Sequence, residues 1–504
     1  MKSIFKYTLI GLLAGGMFTA CSEDQLDTQP TNSMSGASLM LTSDAAMVPL
    51  NGIYRSMYTS GWSTTGNTHQ CFGISAYNLM GEVMGDDLIM KASGNGWFWY
   101  DAIYNVKARF TAKTWRSYDL WFAFYNWISN ANYILVAEDT MEGDNVNSVM
   151  GQAYAIRAYS YFMLAQCFAR TYVGHENEPC VPIYTEPTSP ETEGQPRSTV
   201  AQVYAQITSD IQKAVSLLEG TTQAHKSHIS YGVARQLQAR IALTMEDWQT
   251  AKTASEAAIA WANSNGITIQ PVAAFDGLNS VDAGNIMWGS QIIADQSGMY
   301  AGLFTHMDPA APYGSRALKA INAELYAKMN DTDERKAAWW TADLINDKLV
   351  FADMQTWMGD YIWMRVEEAY LTAAEANCML GDNSSAQNWL NQLMAKRDPA
   401  YNCTKTGTAL GALTSDVTGS LREEIINQRR IELWGEYGRV FDIRRLKQGF
   451  RRTSAQGWPD AALLSNRPTD NPENYMWVLT IPQAEFDGNA ALDASKDQNP
   501  TGDQ

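Results

Sequence analysis

Charged side chains whose spacing could support acid–base chemistry cluster near the C-terminus. Glu432, Glu436, Arg439, Asp442 and Arg445 recur at helical spacing. Catalysis by paired carboxyl groups requires that both face one cleft, whereas Arg and Glu at this spacing can form a network of charge-assisted hydrogen bonds. We predict that these residues stabilise the fold, and we assign no catalytic residue.

Adjacent acidic residues offer no better catalytic pair. Asp86 and Asp87 are neighbours, as are residues 367–368 and 423–424. Neighbouring side chains on a helix point about 100° apart and do not face one another. The sequence also contains no G-x-S-x-G motif, P-loop or dinucleotide fingerprint. These observations favour a binding protein over an enzyme.

Histidine and cysteine do not suggest a metal site. The five histidines include no H-E-x-x-H motif, and His225 and His228 lie in a polar connector. The six cysteines have no regular spacing and form no C-x-x-C, which argues against a disulfide framework. Cys167 and Cys378 lie in apolar helical stripes, where a thiol packs as a small hydrophobic group. We expect neither a metal nor a cofactor.

Two loops, over residues 91–100 and 298–313, carry aromatic side chains beside glycine and proline. Sugars present apolar C–H faces that stack on aromatic rings, while polar neighbours bind their hydroxyls. If the first loop is extended, Trp97 and Trp99 share one face and Phe98 packs inward. The alternative is that the rings cap the core, as we expect for Trp288 in an apolar strand. The predicted ligand-binding residues are Asn95, Trp97, Trp99, Tyr100, Tyr300, Phe304 and Tyr313.

The N-terminus has the pattern of an export signal. Lys2 and Lys6 precede an apolar run from Leu9 to Phe18, and a small pair, Thr19 and Ala20, precedes Cys21. A run of roughly ten apolar residues is too short to span a bilayer. A cysteine in this place is typical of a bacterial lipoprotein, so we expect residues 1–20 to be removed and Cys21 to be acylated.

Acidic residues outnumber basic ones in the chain, 54 to 37. Loss of the two signal lysines would take the formal net charge from −17 to −19. This charge argues against a nucleic-acid partner and against electrostatic docking on anionic lipid. The acidic stretch at residues 22–24 resembles the tag that directs some Gram-negative lipoproteins to the outer face of the outer membrane. No later segment has 18 consecutive apolar residues, so the lipid is the only membrane attachment that the sequence predicts.

Helical periodicity dominates the chain. Apolar residues recur at i, i+3 and i+4 over residues 155–169 and again over 200–214, which predicts a pair of antiparallel helices. Five prolines between residues 179 and 196 interrupt this pair. We predict that residues 173–198 form a long surface loop between the two helices.

An internal echo predicts stacked helix pairs. One Ala-rich segment ends in a tight turn with Asp247, and a similar segment ends in a turn with Asp382. Small residues allow helices to approach closely, and the turn aspartate caps the second helix. The matching positions are Ala234, Ala239, Met245, Asp247 and Ala251 in the first copy and Ala369, Ala374, Leu380, Asp382 and Ala386 in the second.

Residues 266–316 differ from this pattern. Residues 267–269 and 286–293 have the composition of short strands, and Gly, Asp, Asn and Pro punctuate the rest. No long Gly/Ser-rich or Pro-rich linker divides the chain. We therefore expect one domain over residues 21–504. Its helical scaffold would cover about 40–60, 115–265 and 360–450, and its loop-rich ligand-binding regions about 61–110 and 266–358.

Several motifs spread over most of the chain form one recognisable set. They are residues 50–54, Glu82 with 85–87, 153–169, 365–382, 421–433 with Glu436 and Arg439, 441–445, 481–485, and Asn499 with Pro500. In this order they resemble the SusD/RagB family of nutrient-uptake proteins. Gln428 departs from the family pattern, because an acidic residue is usual there.

The resemblance implies a mostly α, tetratricopeptide-like scaffold. It implies a surface lipoprotein that captures oligosaccharides or polysaccharides and lies over a TonB-dependent, SusC-like outer-membrane transporter. Some relatives of the RagB type capture peptides instead. A secreted all-helical glycosidase and a scaffold that binds only protein remain alternatives. Release of reducing sugar would identify the first, and a lack of affinity for glycans and peptides the second.

Overall fold

The computed structural model describes residues 40–59, 67–91, 97–105, 115–464 and 469–501. These ranges are mostly α-helical, as the sequence predicts. The helices are α1 (Ser43–Ser56), α2 (Ile74–Met84), α3 (Trp99–Ala102), α4 (Trp115–Leu135), α5 (Val146–Phe168), α6 (Val200–Leu218), α7 (Tyr231–Thr244), α8 (Trp248–Ser264), α9 (Leu303–Met307), α10 (Ala323–Tyr326), α11 (Arg335–Ala338), α12 (Val366–Met379), α13 (Asn383–Met394), α14 (Leu421–Glu432), α15 (Arg439–Arg445), α16 (Gln483–Gly488) and α17 (Ala494–Asp497). The strands are β1 (Leu88–Met90), β2 (Ile286–Ser290), β3 (Lys319–Ile321) and β4 (Tyr361–Arg365).

Helices α4, α5 and α6 pack in succession, and α5 lies between the other two. Almost every residue of α5 from Val149 onward is buried, because its neighbours cover opposite sides. The predicted helix pair is confirmed. A long loop over residues 169–199 joins α5 to α6, and a reciprocal cap between Thr199 and Gln202 begins α6.

The predicted echo is also confirmed, since α7 and α8 form one pair and α12 and α13 form another. Asp247 Oδ1 accepts from the Thr250 backbone N–H at 3.0 Å, and Asp382 Oδ1 accepts from that of Ser385 at 3.0 Å. The alanines of the echo are fully buried. Helix α8 packs against α12 and α12 against α14, so the pairs stack into one helical frame.

Two short antiparallel sheets connect the loop-rich region to the helices. In one sheet β1 pairs with β3, and in the other β2 pairs with β4. The strand predicted at residues 286–293 is present over its first five residues. The strand predicted at residues 267–269 is wrong, because Thr268 makes one backbone bond to Gly284 and no ladder follows. Strands β1, β3 and β4 were not predicted from the sequence, and β4 leads directly into α12.

The charged C-terminal cluster is buried and ion-paired, as predicted for a structural network. Glu432 accepts from Arg335 at 3.1 Å, from Arg365 at 3.0 Å and from Arg397 at 2.8 Å. All four side chains are fully buried. Gln428 joins the network through its amide oxygen, which accepts from Arg335 at 2.6 Å.

The adjacent acids Asp86 and Asp87 follow α2 and bind arginine. Arg430 lies 2.6 Å from Asp87 and 3.3 Å from Asp86, and Arg439 also contacts both carboxylates. The two carboxyl groups therefore join α2 to α14 and α15.

The cysteines pack as small side chains in the core. The five cysteines of the described ranges are buried, and no disulfide joins them.

Candidate ligand-binding site

Four ring side chains from distant parts of the chain form one set, which we call the aromatic cluster: His69, Trp97, Tyr300 and Tyr313. The His69 and Trp97 rings are nearly parallel, with centroids 5.2 Å apart and planes at 13°. Tyr313 packs against Trp97 at 5.2 Å and against Tyr300 at 5.8 Å. His69 also meets Tyr300 at 5.9 Å. Tyr300 is 50% exposed, and the other three rings are partly buried.

Three buried rings, Phe72, Phe98 and His306, pack on the core side of the aromatic cluster. His306, in α9, stacks on Phe72 at 5.4 Å and meets the edge of Phe98 at 5.1 Å. Its Nε2–H donates to the His69 carbonyl oxygen at 2.8 Å. Burial holds the pKa of His306 well below its usual range. The imidazole is therefore neutral, and it attaches α9 to the turn that carries His69.

A buried arginine fixes the two segments that supply His69 and Trp97. Arg116 Nε and Nη2 donate to the Asp101 carboxylate at 2.9 Å each, and its Nη1 donates to the Gln70 carbonyl oxygen at 3.0 Å. The Gln70 side chain in turn accepts from the Phe98 backbone N–H at 2.6 Å. The positions of the rings thus depend on buried polar bonds that a ligand would not disturb.

The structure brings together three of the seven predicted residues, namely Trp97, Tyr300 and Tyr313. Residues 97–99 are not extended, so Trp97 and Trp99 do not share one face, although Phe98 does pack inward. Phe98 has φ +70° and α3 begins at Trp99, so Trp99 turns into the core and is 5% exposed. Phe304 is also buried, because it lies in α9 and packs against Phe351 and Tyr361.

The remaining predictions have separate outcomes. Tyr100 is 43% exposed on α3. Asn95 and Cys21 lie outside the described residues. Trp288 is fully buried, as predicted. His69 was missed, because a single histidine has no spacing signal. Only its contacts with residues far along the chain identify it.

The aromatic cluster has the chemistry of a binding surface. It offers ring faces, two phenols and one imidazole, and within the described ranges no carboxylate hydrogen-bonds to its four side chains. Among those same residues, no group of His, Cys, Asp or Glu could hold a metal ion. No described helix has the length and apolar character needed to cross a membrane.

Two family descriptions match this chain. Residues 74–243 match a family described as starch-binding and associating with the outer membrane, and residues 316–501 match the SusD family. A SusD-like protein, P2, from Formosa agariphila is 25% identical over 374 residues, which is 64% of this chain and 68% of that protein.

Solved structures have the same fold. A SusD-like carbohydrate binding protein from Bacteroides vulgatus is 27% identical with a TM-score of 0.74, and the match covers 90% of this chain and 97% of that one. A surface glycan-binding protein A from Bacteroides fluxus is 17% identical with a TM-score of 0.66, covering 91% and 99%. At that lower identity the likeness concerns the fold alone.

Proposed function

The chain belongs to the SusD/RagB-like family, and from this we propose that it is a glycan-binding surface lipoprotein. In this proposal it captures oligosaccharides or polysaccharides and delivers them to a TonB-dependent, SusC-like transporter. The observation that carries the proposal is the aromatic cluster, in which rings from separate loops meet on a rigid, buried support.

The geometry of the aromatic cluster suits a sugar. Trp97 and Tyr300 present ring surface to apolar C–H faces. Beside them the Tyr313 hydroxyl and the His69 imidazole are hydrogen-bonded to each other, and the hydroxyl oxygen and the second ring nitrogen remain for a ligand. His306 and Arg116 hold these groups in place before any ligand arrives. Preorganisation lowers the entropic cost of binding. We therefore assign ligand binding to His69, Trp97, Tyr300 and Tyr313 and remove Trp99 and Phe304 from the predicted set.

The test is a screen of the full chain against arrays of neutral glycans and of peptides, in parallel with Trp97→Ala. The proposal predicts retention on at least one glycan and weaker retention of the variant. Retention on peptides alone would instead support uptake of the RagB type. Release of reducing sugar from a retained glycan would contradict a binding role and indicate a glycosidase.

Membrane attachment forms a second part of the proposal. We infer that Cys21 is acylated and holds the protein on the outer membrane, because the first 21 residues have the pattern of a lipoprotein signal. Cys21→Ser should abolish palmitate labelling and release the protein from the membrane fraction. A variant that still labels and sediments with outer membranes would show that the anchor lies elsewhere.

A partner is required for transport, since a lipid-anchored binder cannot itself move a ligand across a bilayer. We propose that the partner is a TonB-dependent barrel. Pull-down of the chain from outer membranes in mild detergent should recover that barrel. Recovery of the chain alone in several detergents would contradict the partnership while leaving glycan binding intact.

A further inference from the structure

A cavity lies between α4, the loop over residues 169–199 and α16. Its volume is about 350 Å³, which is in the range of pockets that bind small molecules. No residue of the aromatic cluster lines it. We call it the α4 cavity.

Aromatic rings form the walls of the α4 cavity. Tyr118, Phe122 and Tyr125 lie on one face of α4, because they are spaced by four and three residues. The Tyr118 and Phe122 rings are nearly parallel, with centroids 5.8 Å apart and planes at 10°. Phe122 is 36% exposed. The loop contributes Tyr184, whose ring meets Tyr125 edge-on at 6.0 Å.

One carboxylate lies at the edge of these rings. Glu485 Oε2 accepts from Trp121 Nε1–H at 2.9 Å, and its Oε1 accepts from Asn489 Nδ2–H at 2.8 Å. Both donors are neutral, and within the described ranges no lysine or arginine forms an ion pair with Glu485. A carboxylate has about four acceptor sites. Two N–H donors therefore orient Glu485 and leave it able to accept further hydrogen bonds.

Hydroxyl groups complete the lining. Ser129 and Thr188 form a hydroxyl pair at 2.7 Å. The Tyr184 hydroxyl oxygen accepts from the Gln195 backbone N–H at 3.0 Å, which leaves its own hydrogen available to donate. The α4 cavity thus combines ring faces, hydroxyls and one oriented acceptor.

Buried polar bonds hold the loop wall in position. Asn132 Nδ2 donates to the Tyr184 and Glu186 carbonyl oxygens at 3.1 Å and 2.9 Å. The Tyr161 hydroxyl donates to the Tyr184 carbonyl oxygen at 2.8 Å, and Arg157 Nη1 reaches that of Thr185 at 3.2 Å. The loop is fixed by side chains outside the cavity lining, so the cavity is formed before any ligand binds.

We propose that the α4 cavity is a second saccharide subsite, which takes one or two neutral sugar residues of a glycan. The C–H face of the sugar packs on Tyr118 and Phe122, and its hydroxyl groups donate hydrogen bonds to the Glu485 carboxylate. An organic cation would also be attracted to rings and a carboxylate. The hydroxyl lining and the two N–H donors already on Glu485 favour a polyhydroxylated neutral ligand. The class of ligand rests on the proposed function, whereas the site is separate from the aromatic cluster.

The experiment is saturation-transfer NMR on the full-length chain with D-glucose, D-galactose, D-mannose and D-xylose. It compares Phe122→Ala with Trp97→Ala and with Val136→Ala, which removes an exposed apolar side chain outside the cavity lining. At least one sugar should show a signal that Phe122→Ala lowers and that Val136→Ala retains. In the Trp97→Ala background, which disables the aromatic cluster, Phe122→Ala should lower the remaining signal about fivefold. Tyr118→Ala serves as a second variant if Phe122→Ala melts early.

Failure of this inference differs from failure of the proposed function. A sugar signal that is lost only in Trp97→Ala overturns the second subsite and leaves the aromatic cluster as the binding surface. A signal that is lost only in Phe122→Ala supports the second subsite even if Trp97 has no role. The absence of signal for all four sugars overturns the inference. Tetramethylammonium is included as a probe for an organic cation. If it gives a signal that Phe122→Ala removes and no sugar gives one, the inference is overturned as well.

Discussion

His69 Nδ1 lies 2.6 Å from the Tyr313 hydroxyl, although 244 residues separate the two in the chain. On its other side His69 stacks on Trp97, and its edge meets Tyr300. This bond therefore joins the segment before α2 to the segment after α9. It also holds the Trp97 and Tyr313 rings, which belong to different loops, in contact with each other. The proposed glycan surface depends on this joint as well as on the rings themselves.

The burial of Trp99 and Phe304 predicts that they stabilise the fold. We expect Trp99→Ala and Phe304→Ala each to lower the free energy of unfolding by about 3–5 kcal/mol, because each leaves a cavity in the core. Tyr300→Ala, at a half-exposed position, is the control and should change it little. Denaturant unfolding measures all three. An unchanged midpoint in Trp99→Ala would mean that the ring is not packed as the structure has it.

The Glu432 network predicts that removal of one charge greatly lowers the stability of the fold. Glu432→Gln leaves Arg335, Arg365 and Arg397 buried around a neutral amide, and we expect a loss of about 3–5 kcal/mol in stability. Asp470→Asn is a suitable control, because Asp470 pairs with Arg451 at the surface. It should leave the unfolding midpoint nearly unchanged. Equal midpoints for the two variants would contradict a structural role for the network.

The two equivalent turns predict opposite effects of substitution. Glu246 has φ +55° and Gly381, in the second copy, has φ +84°. A residue other than glycine at positive φ lowers the stability of the fold by about 1 kcal/mol. A Cβ added at Gly381 would touch no neighbouring atom, so no steric clash adds to this loss. Gly381→Ala should therefore destabilise the protein by about that amount through backbone strain alone. Glu246→Gly should be neutral or slightly stabilising. Thermal unfolding of both variants tests this, and a stabilised Gly381→Ala would refute it.

Lys319 predicts a pH dependence of stability. Burial lowers the pKa of Lys319 to about 7, and its amine donates to the Ala317 carbonyl oxygen at 2.7 Å. Between pH 7 and the ordinary lysine pKa near 10.5, the unfolded chain binds a proton that the folded chain does not. Stability should therefore rise with pH across this window, by at most about 1.4 kcal/mol per pH unit.

Lys319→Met should reduce this rise and leave the part that belongs to Lys348, whose pKa burial also lowers, whereas Lys496→Met, at an exposed lysine, should retain all of it. The measurement is denaturant unfolding at pH 7, 8 and 9. A slope that is the same in wild type and Lys319→Met would contradict a neutral buried amine.

Local patterns in the sequence predicted the helical frame well. The periodicity of α5 and α6, the prolines between them, and the aspartates at 247 and 382 act over a few residues, so their consequences are local. The helical spacing of the charged residues near the C-terminus also predicted a buried charge network. Its arginines Arg335, Arg365 and Arg397 were not predicted, because they lie far from Glu432 in the sequence. Strand β4 was missed because it has only five residues and the helix α12 follows it directly. So short a run shows too little alternation to be told apart from the start of the helix.

The site was only partly predictable for a different reason. The composition of the two loops indicated Trp97, Tyr300 and Tyr313. The left-handed Phe98, which turns Trp99 into the core, depends on packing against Phe72 and His306. His69 joins the cluster through contacts with residues far along the chain. Neither effect is visible in local spacing.

Glycan binding through the aromatic cluster is the central claim, and calorimetric titration of the glycan found in the array screen tests it most directly. Trp97→Ala and Tyr300→Ala should each weaken binding by about 1 kcal/mol or more, roughly fivefold in Kd, with melting temperatures near that of wild type. Val136→Ala, at an exposed position outside both sites, should bind as wild type does. Wild-type affinity in both cluster variants would contradict the claim.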